Sequence, residues 1–197
     1  MRAPAYQLVT APASEPISLD EAKAQARITD TNSDALVQGY VIAARQRAEQ
    51  VLGYGLLTQT WRYDLKEFDE VIPLPMALKL QSVTHVKYYD TDGTLQTLSS
   101  SYYELDTMRR PAGIVRATDV SWPALQADRR SGRVQITYVV GWSDVALIPE
   151  IIKQGIRMYV TYLDADRDGM ETQAQAAQVA AERCWSDRVY FLPPSCE

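Results

Sequence analysis

The spacing of hydrophobic residues predicts two helices near the start of the chain. The first is expected from Ser18 to Ile28, because Ser18 and Glu21 have the spacing of a capping box. A stripe at 4-3-4-3 spacing then predicts a long amphipathic helix over 34–52, ending at Gly53. The apolar stripe consists of Val37, Val41, Ala44, Ala48 and Val51, whereas the polar residues Arg45, Gln46, Arg47, Glu49 and Gln50 are expected mostly off it.

Two further helices are predicted after residue 148. Pro149 suits the first position of a helix, and Ile152, Ile156, Tyr159 and Leu163 follow at helical spacing. This helix is expected to pack against the 34–52 helix. A last helix is predicted from about 172 to 188. Its apolar seam is Ala174, Ala177, Ala181 and Cys184 or Trp185.

Alternating patterns between these helices predict an antiparallel β module over 56–142. The strongest strand is Gly132–Trp142, and Tyr102–Leu105 is expected to continue the same sheet. Further strands are expected at Thr58–Leu65, Ser82–Tyr89, Thr94–Leu98 and Gly113–Arg116, with an extended edge at Ile72–Pro75. The predicted class is therefore α+β, a helical bundle formed by the N- and C-terminal helices with an inserted antiparallel β module. We expect one domain over 1–197, with helical parts at 16–54 and 146–190 and an extended arm at 1–15.

The composition of the chain argues against several classes of function. A hydrophobic content of 46% supports a real core, and the net charge of −5 argues against a basic surface that binds nucleic acid throughout. The sequence has no apolar run of membrane-spanning length and no signal-peptide pattern at its start. Only two cysteines are present, Cys184 and Cys196, and free thiols are the favoured interpretation.

Candidate chemistry is sparse, so we expect no catalytic residues and no cofactor. Asp164, Asp166 and Asp168 precede Gly169 with the spacing of a calcium loop, but position twelve is Gln175, which lacks the bidentate carboxylate. The alternative is a solvated connector, and any calcium affinity is expected to be weak. His85 is the only histidine, which removes His-pair zinc motifs. The remaining alternatives are a calcium-responsive binding module or a hydrolase that uses loop carboxylates.

Two groups of residues are candidates for binding other proteins. Arginines bracket the irregular stretch 106–132, and Arg109, Arg110, Arg129 and Arg130 are candidates for contact with a neighbouring copy or an acidic partner. A solvated loop that balances local acids is the alternative. The chain ends in residue types common at binding hot spots: Arg183, Trp185, Arg188, Tyr190 and Phe191. This tail could equally fold back on its own core.

Several stretches, in order along the chain, resemble the phage head–tail connector family, the small adaptors that join portal to tail. The matching stretches are Ile17–Lys23, Ala26–Ile28, Asp34–Val37, Ala43–Arg45, Thr58–Trp61, Ser82–Thr84, Tyr89–Gly93, Tyr103–Asp106, Val134–Trp142 and Pro149–Ile156. None of them is a catalytic signature.

The resemblance implies a structural virion protein, not an enzyme. It implies a ring, expected to have twelve copies, that binds the portal, extends the DNA channel and presents a platform for a tail or stopper protein. DNA would pass without sequence-specific binding, and no membrane is involved. The protein would be assembled in the bacterial cytoplasm and reside at the head–tail junction. The C-terminal segment would grip the portal, and removing 184–197 is expected to leave the fold largely intact.

Overall fold

The computed structural model describes residues 5–165 and 172–186, which form two units. The sheet unit comprises Met1–Ala13 and Leu57–Trp142, and the helical unit comprises Ser14–Leu56 and Ser143–Glu197. Helices and antiparallel sheets are both present, which confirms the predicted α+β class. That the whole chain forms a single domain stays a prediction.

The sheet unit contains a five-stranded antiparallel sheet. Its strands are β1 (Ala5–Thr10), β2 (Gln59–Leu65), β4 (Leu80–Tyr89), β5 (Leu95–Thr97) and β8 (Val134–Val140), in the order β1-β2-β8-β4-β5. The central strand β8 pairs Ile136 with Tyr63 of β2 and with Val86 of β4. The strand predicted to be strongest therefore lies at the middle of the sheet, where apolar residues are buried most completely.

A second, three-stranded sheet is the main departure from the predicted β module. It consists of β3 (Val71–Pro73), β6 (Tyr103–Asp106) and β7 (Gly113–Arg116), in the order β3-β7-β6. The expectation that Tyr102–Leu105 continues the first sheet is therefore wrong. A strand's alternating pattern shows which residues share a face but does not identify its hydrogen-bonding partner.

The expected extended arm contains strand β1, which pairs with β2 at one edge of the larger sheet. All six of its residues are exposed, including Tyr6, Leu8 and Val9. This strand was missed because it lacks the buried face whose alternation marks most strands in a sequence.

The core of the sheet unit combines side chains from both sheets. Tyr63, Val86, Ile136 and Tyr138 come from the larger sheet, and Ile114 comes from the smaller one. The Tyr138 hydroxyl donates to the Pro75 carbonyl at 2.8 Å, and burial raises the pKa of this hydroxyl. The hydroxyl of this buried ring therefore has a hydrogen-bond partner.

The first two helices confirm their sequence signals. Helix α1 spans Leu19–Ala26, and both bonds of the Ser18–Glu21 capping box are present, at 2.7 and 3.1 Å. Helix α2 spans Asp34–Leu52 and ends at Gly53, whose φ of 75° is the left-handed conformation that glycine adopts without strain. Of the predicted stripe, Val37, Val41, Ala44 and Ala48 are buried.

Helices α3 (Glu150–Ala165) and α4 (Thr172–Ser186) complete the helical unit. Helix α3 contacts α1, α2 and α4, which confirms its predicted packing against α2. Trp185 of α4 is 1% exposed, and its indole N–H donates to the Ile152 carbonyl at 3.3 Å. A Cβ added at Gly155 would lie 2.3 Å from this indole nitrogen, so the close α3–α4 approach requires glycine there.

Candidate assembly surfaces

The turn between β6 and β7 projects an ordered group of side chains, here called the hairpin tip and defined as residues 105–110. Asp106 shapes it, because one carboxylate oxygen accepts the backbone N–H groups of Met108 and Arg109, each at 3.1 Å. The other oxygen lies 3.6 Å from Arg109 Nε. Where β7 begins, opposite Asp106, glycine is needed at 113, since a Cβ there would lie 2.5 Å from the Ile72 carbonyl oxygen.

The hairpin tip presents both apolar and cationic groups to solvent. Met108 is 91% exposed and Leu105 is 44% exposed, while Arg109 and Arg110 are exposed beside them. Methionine and arginine are enriched in protein interfaces. The two apolar residues were not identified from the sequence, where the only local signals were the turn-forming Asp106 and Pro111.

Residues 117–133, here called the basic loop, use most of their arginines internally. The guanidinium of Arg129 lies 3.6 Å from the ring centre of Tyr89, and Arg133 donates to the carbonyls of Arg129 and Ala127. Arg116, just before the loop, donates to the Val120 carbonyl at 2.6 Å. These arginines stabilise the loop by satisfying carbonyl groups and by covering an aromatic face.

Trp122 attaches the basic loop to the rest of the sheet unit. Its ring stacks on Phe68 with centres 4.5 Å apart, and its N–H donates to the Asp69 carbonyl at 3.0 Å.

The four arginines proposed for subunit contact differ in environment. Arg109, Arg110 and Arg130 are exposed, whereas Arg129 is half-buried against Tyr89.

A buried ion network in the helical unit was not anticipated. Arg45 is 4% exposed and Glu49 is 5% exposed, although both were expected mostly off the apolar stripe. Arg45 Nε lies 2.8 Å from a Glu15 oxygen, and its Nη1 lies 3.0 Å from Glu49. The second Glu49 oxygen accepts the Leu56 N–H at 2.9 Å.

This network joins two distant points of the sequence. Glu15 follows the residue at which the helical unit begins, and Leu56 is the last residue before the chain returns to the sheet unit. Tyr54 is buried nearby in sequence, and burial raises the pKa of its hydroxyl to about 12. The i,i+4 spacing of Arg45 and Glu49 was a usable signal, but such pairs usually lie on exposed helix faces.

The C-terminal group of predicted partner-binding residues is only partly described. Arg183 is exposed, whereas Trp185 is buried between α3 and α4, and its ring lies 5.6 Å from that of Tyr159. Arg188, Tyr190 and Phe191 lie outside the described residues. That this group binds a partner stays a prediction.

The burial of Trp185 corrects one expectation. Removing 184–197 would delete a fully buried aromatic side chain, so that truncation would disturb the helical unit. A truncation that begins at residue 187 retains the whole of α4.

The predicted calcium loop falls mostly beyond the described residues. Asp164 is half-buried at the end of α3, and Asp166 and Asp168 lie outside. Within 5–165 and 172–186, no group of three His, Cys, Asp or Glu side chains could hold a metal ion. Calcium binding at 164–168 remains a prediction, with calorimetry as its test.

Two other titratable side chains lie in ordinary structural positions. His85 is half-buried on β4, and burial, followed by repulsion from Lys87 and Arg62, lowers its pKa. Burial also raises the pKa of the Cys184 thiol, which makes this side chain less reactive.

Among the helices of the described segments, none combines enough length with enough apolar character to cross a bilayer.

Comparison with known proteins gives a family match over part of the chain and a shared fold over most of it. Residues 16–110 match the family model described as Phage gp6-like head-tail connector protein. No curated protein matches the chain.

Solved structures share the fold. A chain from the neck of an empty gene transfer agent (GTA) particle, computed with C6 symmetry, is 18% identical with a TM-score of 0.73, over 92% of this chain and 94% of that one. A chain from the virion of the native particle is 19% identical with a TM-score of 0.69, and the match covers 90% of this chain and 93% of that one. A chain from the native neck, computed with C12 symmetry, is 19% identical with a TM-score of 0.67, and the match covers 92% of this chain and 94% of that one. Residues 16–110, just under half of the chain, are thus similar to the phage head–tail connector family.

Proposed function

We propose that this protein binds the portal as a ring and extends the DNA channel toward the tail. The family model that residues 16–110 match describes head–tail connector proteins, which are structural proteins and not a class of enzyme. The family match is the observation that carries the proposal. Chains of the same fold in the necks of gene transfer agent particles support it further.

Twelve copies are the proposed size of the ring. The necks that contain the similar chains were computed with C6 and C12 symmetry, and a ring of twelve is compatible with both. A closed ring of identical subunits needs two different surfaces on each subunit, one for each neighbour. The exposed arginines Arg109, Arg110 and Arg130 are candidates for one surface, and Arg129 is retained as a contact that also supports the basic loop.

The residues after α4 are proposed to attach the ring to the portal, and the opposite side is proposed to receive a tail or stopper protein. Arg183 is exposed on the last helix, and the sequence beyond it contains Arg188, Tyr190 and Phe191. Aromatic and arginine side chains dominate binding hot spots. Assembly in the host cytoplasm, with DNA passing through the ring without sequence-specific contact, completes the proposal.

Negative-stain imaging of the protein mixed with its portal tests this function. The full chain is expected to add a layer of density to one end of the portal. A chain that ends at Ser186 is expected to melt at the same temperature and to leave the portal bare. Attachment of that truncated chain at full strength would remove the tail from the portal contact, and absence of attachment by the full chain would refute portal binding.

A further inference from the structure

Charge is distributed unequally between the two units. Among the described residues, the sheet unit carries ten Lys and Arg residues against ten Asp and Glu, whereas the helical unit carries seven against ten. The net charges of these residues are therefore 0 and −3. The helical unit of one copy is thus suited to contact exposed cations of a neighbouring copy.

The hairpin tip carries two adjacent cations, Arg109 and Arg110, of the five exposed cations in the described part of the sheet unit. The inward-bonded arginines of the basic loop and Arg116 satisfy carbonyl groups of their own chain. Arg109 and Arg110 are exposed; Asp106 accepts the Arg109 backbone N–H and lies 3.6 Å from the Arg109 side chain, which is still 47% exposed. Ordering before binding reduces the conformational entropy lost on association.

Most carboxylates in the described part of the helical unit already have a cation. Glu15 and Glu49 lie beside Arg45, and Glu21 and Glu150 lie beside Arg157. The two other pairs are Asp34 with Lys23 and Glu182 with Arg47.

Asp20, Asp30 and Asp144 differ from these carboxylates. All three are exposed, and none forms an ion pair among residues 5–165 and 172–186. Asp144 precedes α3, whereas Asp20 and Asp30 both belong to the segment that contains α1. Asp20 lies in the first turn of α1, and Asp30 lies in the turn between α1 and α2. Hydrogen bonds from Ser33 lower the pKa of Asp30, so this carboxylate is ionised at neutral pH.

We propose that the hairpin tip of one copy docks on the acidic α1 side of the helical unit of a second copy. Arg109 and Arg110 meet Asp20 and Asp30, and Met108 and Leu105 supply apolar contact area. Because the donor and acceptor surfaces differ, the contact is head-to-tail and can close a ring. This inference rests on the proposed ring, and it adds the partner of the arginines and the surface that receives them.

Charge reversal tests the contact. The Arg109→Glu/Arg110→Glu variant is compared with Lys66→Glu/Lys79→Glu, which makes the same change of charge at exposed positions on the same unit. Ring formation with portal and self-association without it are followed by mass photometry at low and high salt. We expect the tip variant to need roughly tenfold more protein to assemble, and the control to match wild type. Raising the salt concentration should weaken wild-type assembly.

A compensating variant identifies the receiving surface. Adding Asp20→Lys/Asp30→Lys to the tip variant restores opposite charges across every contact, so it is expected to restore assembly. Failure of this rescue would overturn the assignment of Asp20 and Asp30. Wild-type assembly by the tip variant would overturn the role of the hairpin tip while leaving the proposed ring intact.

The remaining outcomes separate this contact from the proposed function. Binding of wild-type copies to the portal without contact between them would overturn the head-to-tail contact but not portal attachment. Absence of both portal binding and self-association would overturn the two proposals together. Loss of duplex DNA binding by the tip variant, measured by fluorescence anisotropy with assembly unchanged, would assign the tip to DNA instead.

Discussion

Removal of the Arg45 side chain should destabilise the helical unit severely. In the Arg45→Ala variant, Glu15 and Glu49 lose the cation that lies 2.8 and 3.0 Å from them. The side chains of these carboxylates are only 15% and 6% exposed, so water can replace little of the lost interaction. Breaking a buried pair from one side costs about 3–5 kcal/mol.

That cost is a large part of the total stability of a domain, which is about 5–15 kcal/mol. For a chain of this size, each kcal/mol lowers the melting temperature by roughly 2–4 °C. The expected decrease is therefore about 6–20 °C. Calorimetry can measure it, and circular dichroism at the helical minimum assigns the transition to the helical unit.

Two comparison variants test whether burial of the ion pairs causes this loss of stability. Arg62→Ala removes a more exposed pair, with Asp64, and should cost at most about 1 kcal/mol. Glu49→Gln added to Arg45→Ala removes a buried negative charge that has lost Arg45 yet keeps an oxygen for the Leu56 N–H, so it should recover part of the loss. Equal effects of Arg45→Ala and Arg62→Ala would refute the argument, as would further loss in the double variant.

Three further predictions concern packing and pH. Trp185→Ala should cost about 3–5 kcal/mol in chemical unfolding, because the indole is fully buried, whereas a chain ending at Ser186 should keep wild-type stability; equal losses would contradict this. Gly113→Ala should lower the melting temperature, because its Cβ would lie 2.5 Å from a backbone oxygen, and an unchanged value would show that β3 and β7 can separate freely. Stability should decrease as pH falls below about 6.5, the ordinary pKa of histidine, because burial lowers the pKa of His85 in the folded chain. It should decrease again below 4.5, because hydrogen bonds from Arg157 and Lys153 lower the pKa of Glu150 in the folded chain. In both cases the unfolded state takes up the proton first, so a His85→Gln variant should flatten the first decrease in a series of thermal melts.

The features predicted from the sequence are those whose cause is local. The Ser18–Glu21 capping box and the left-handed Gly53 depend on neighbouring residues, and both occur as predicted. The apolar stripe of α2 and the alternation of β8 also report directly on burial.

The features that were missed depend on tertiary partners. Arg45 is buried because Glu15, thirty residues away in sequence, supplies its counter-charge. Strand β6 belongs to a second sheet because it pairs with β7, which no periodicity specifies. Tryptophan is a residue type common in binding sites, but Trp185 is a core residue. The only feature that distinguishes these two roles is the glycine at 155 on α3, against which the indole packs.

The number of copies bound per portal tests the central claim most directly. Native mass spectrometry of the purified portal, mixed with excess protein, measures this number without averaging over symmetry. If the protein forms a ring of twelve, one stable species that carries twelve copies is expected, with few partly filled portals because neighbouring copies contact one another. A broad, statistical distribution of copies, or no binding at all, would contradict it.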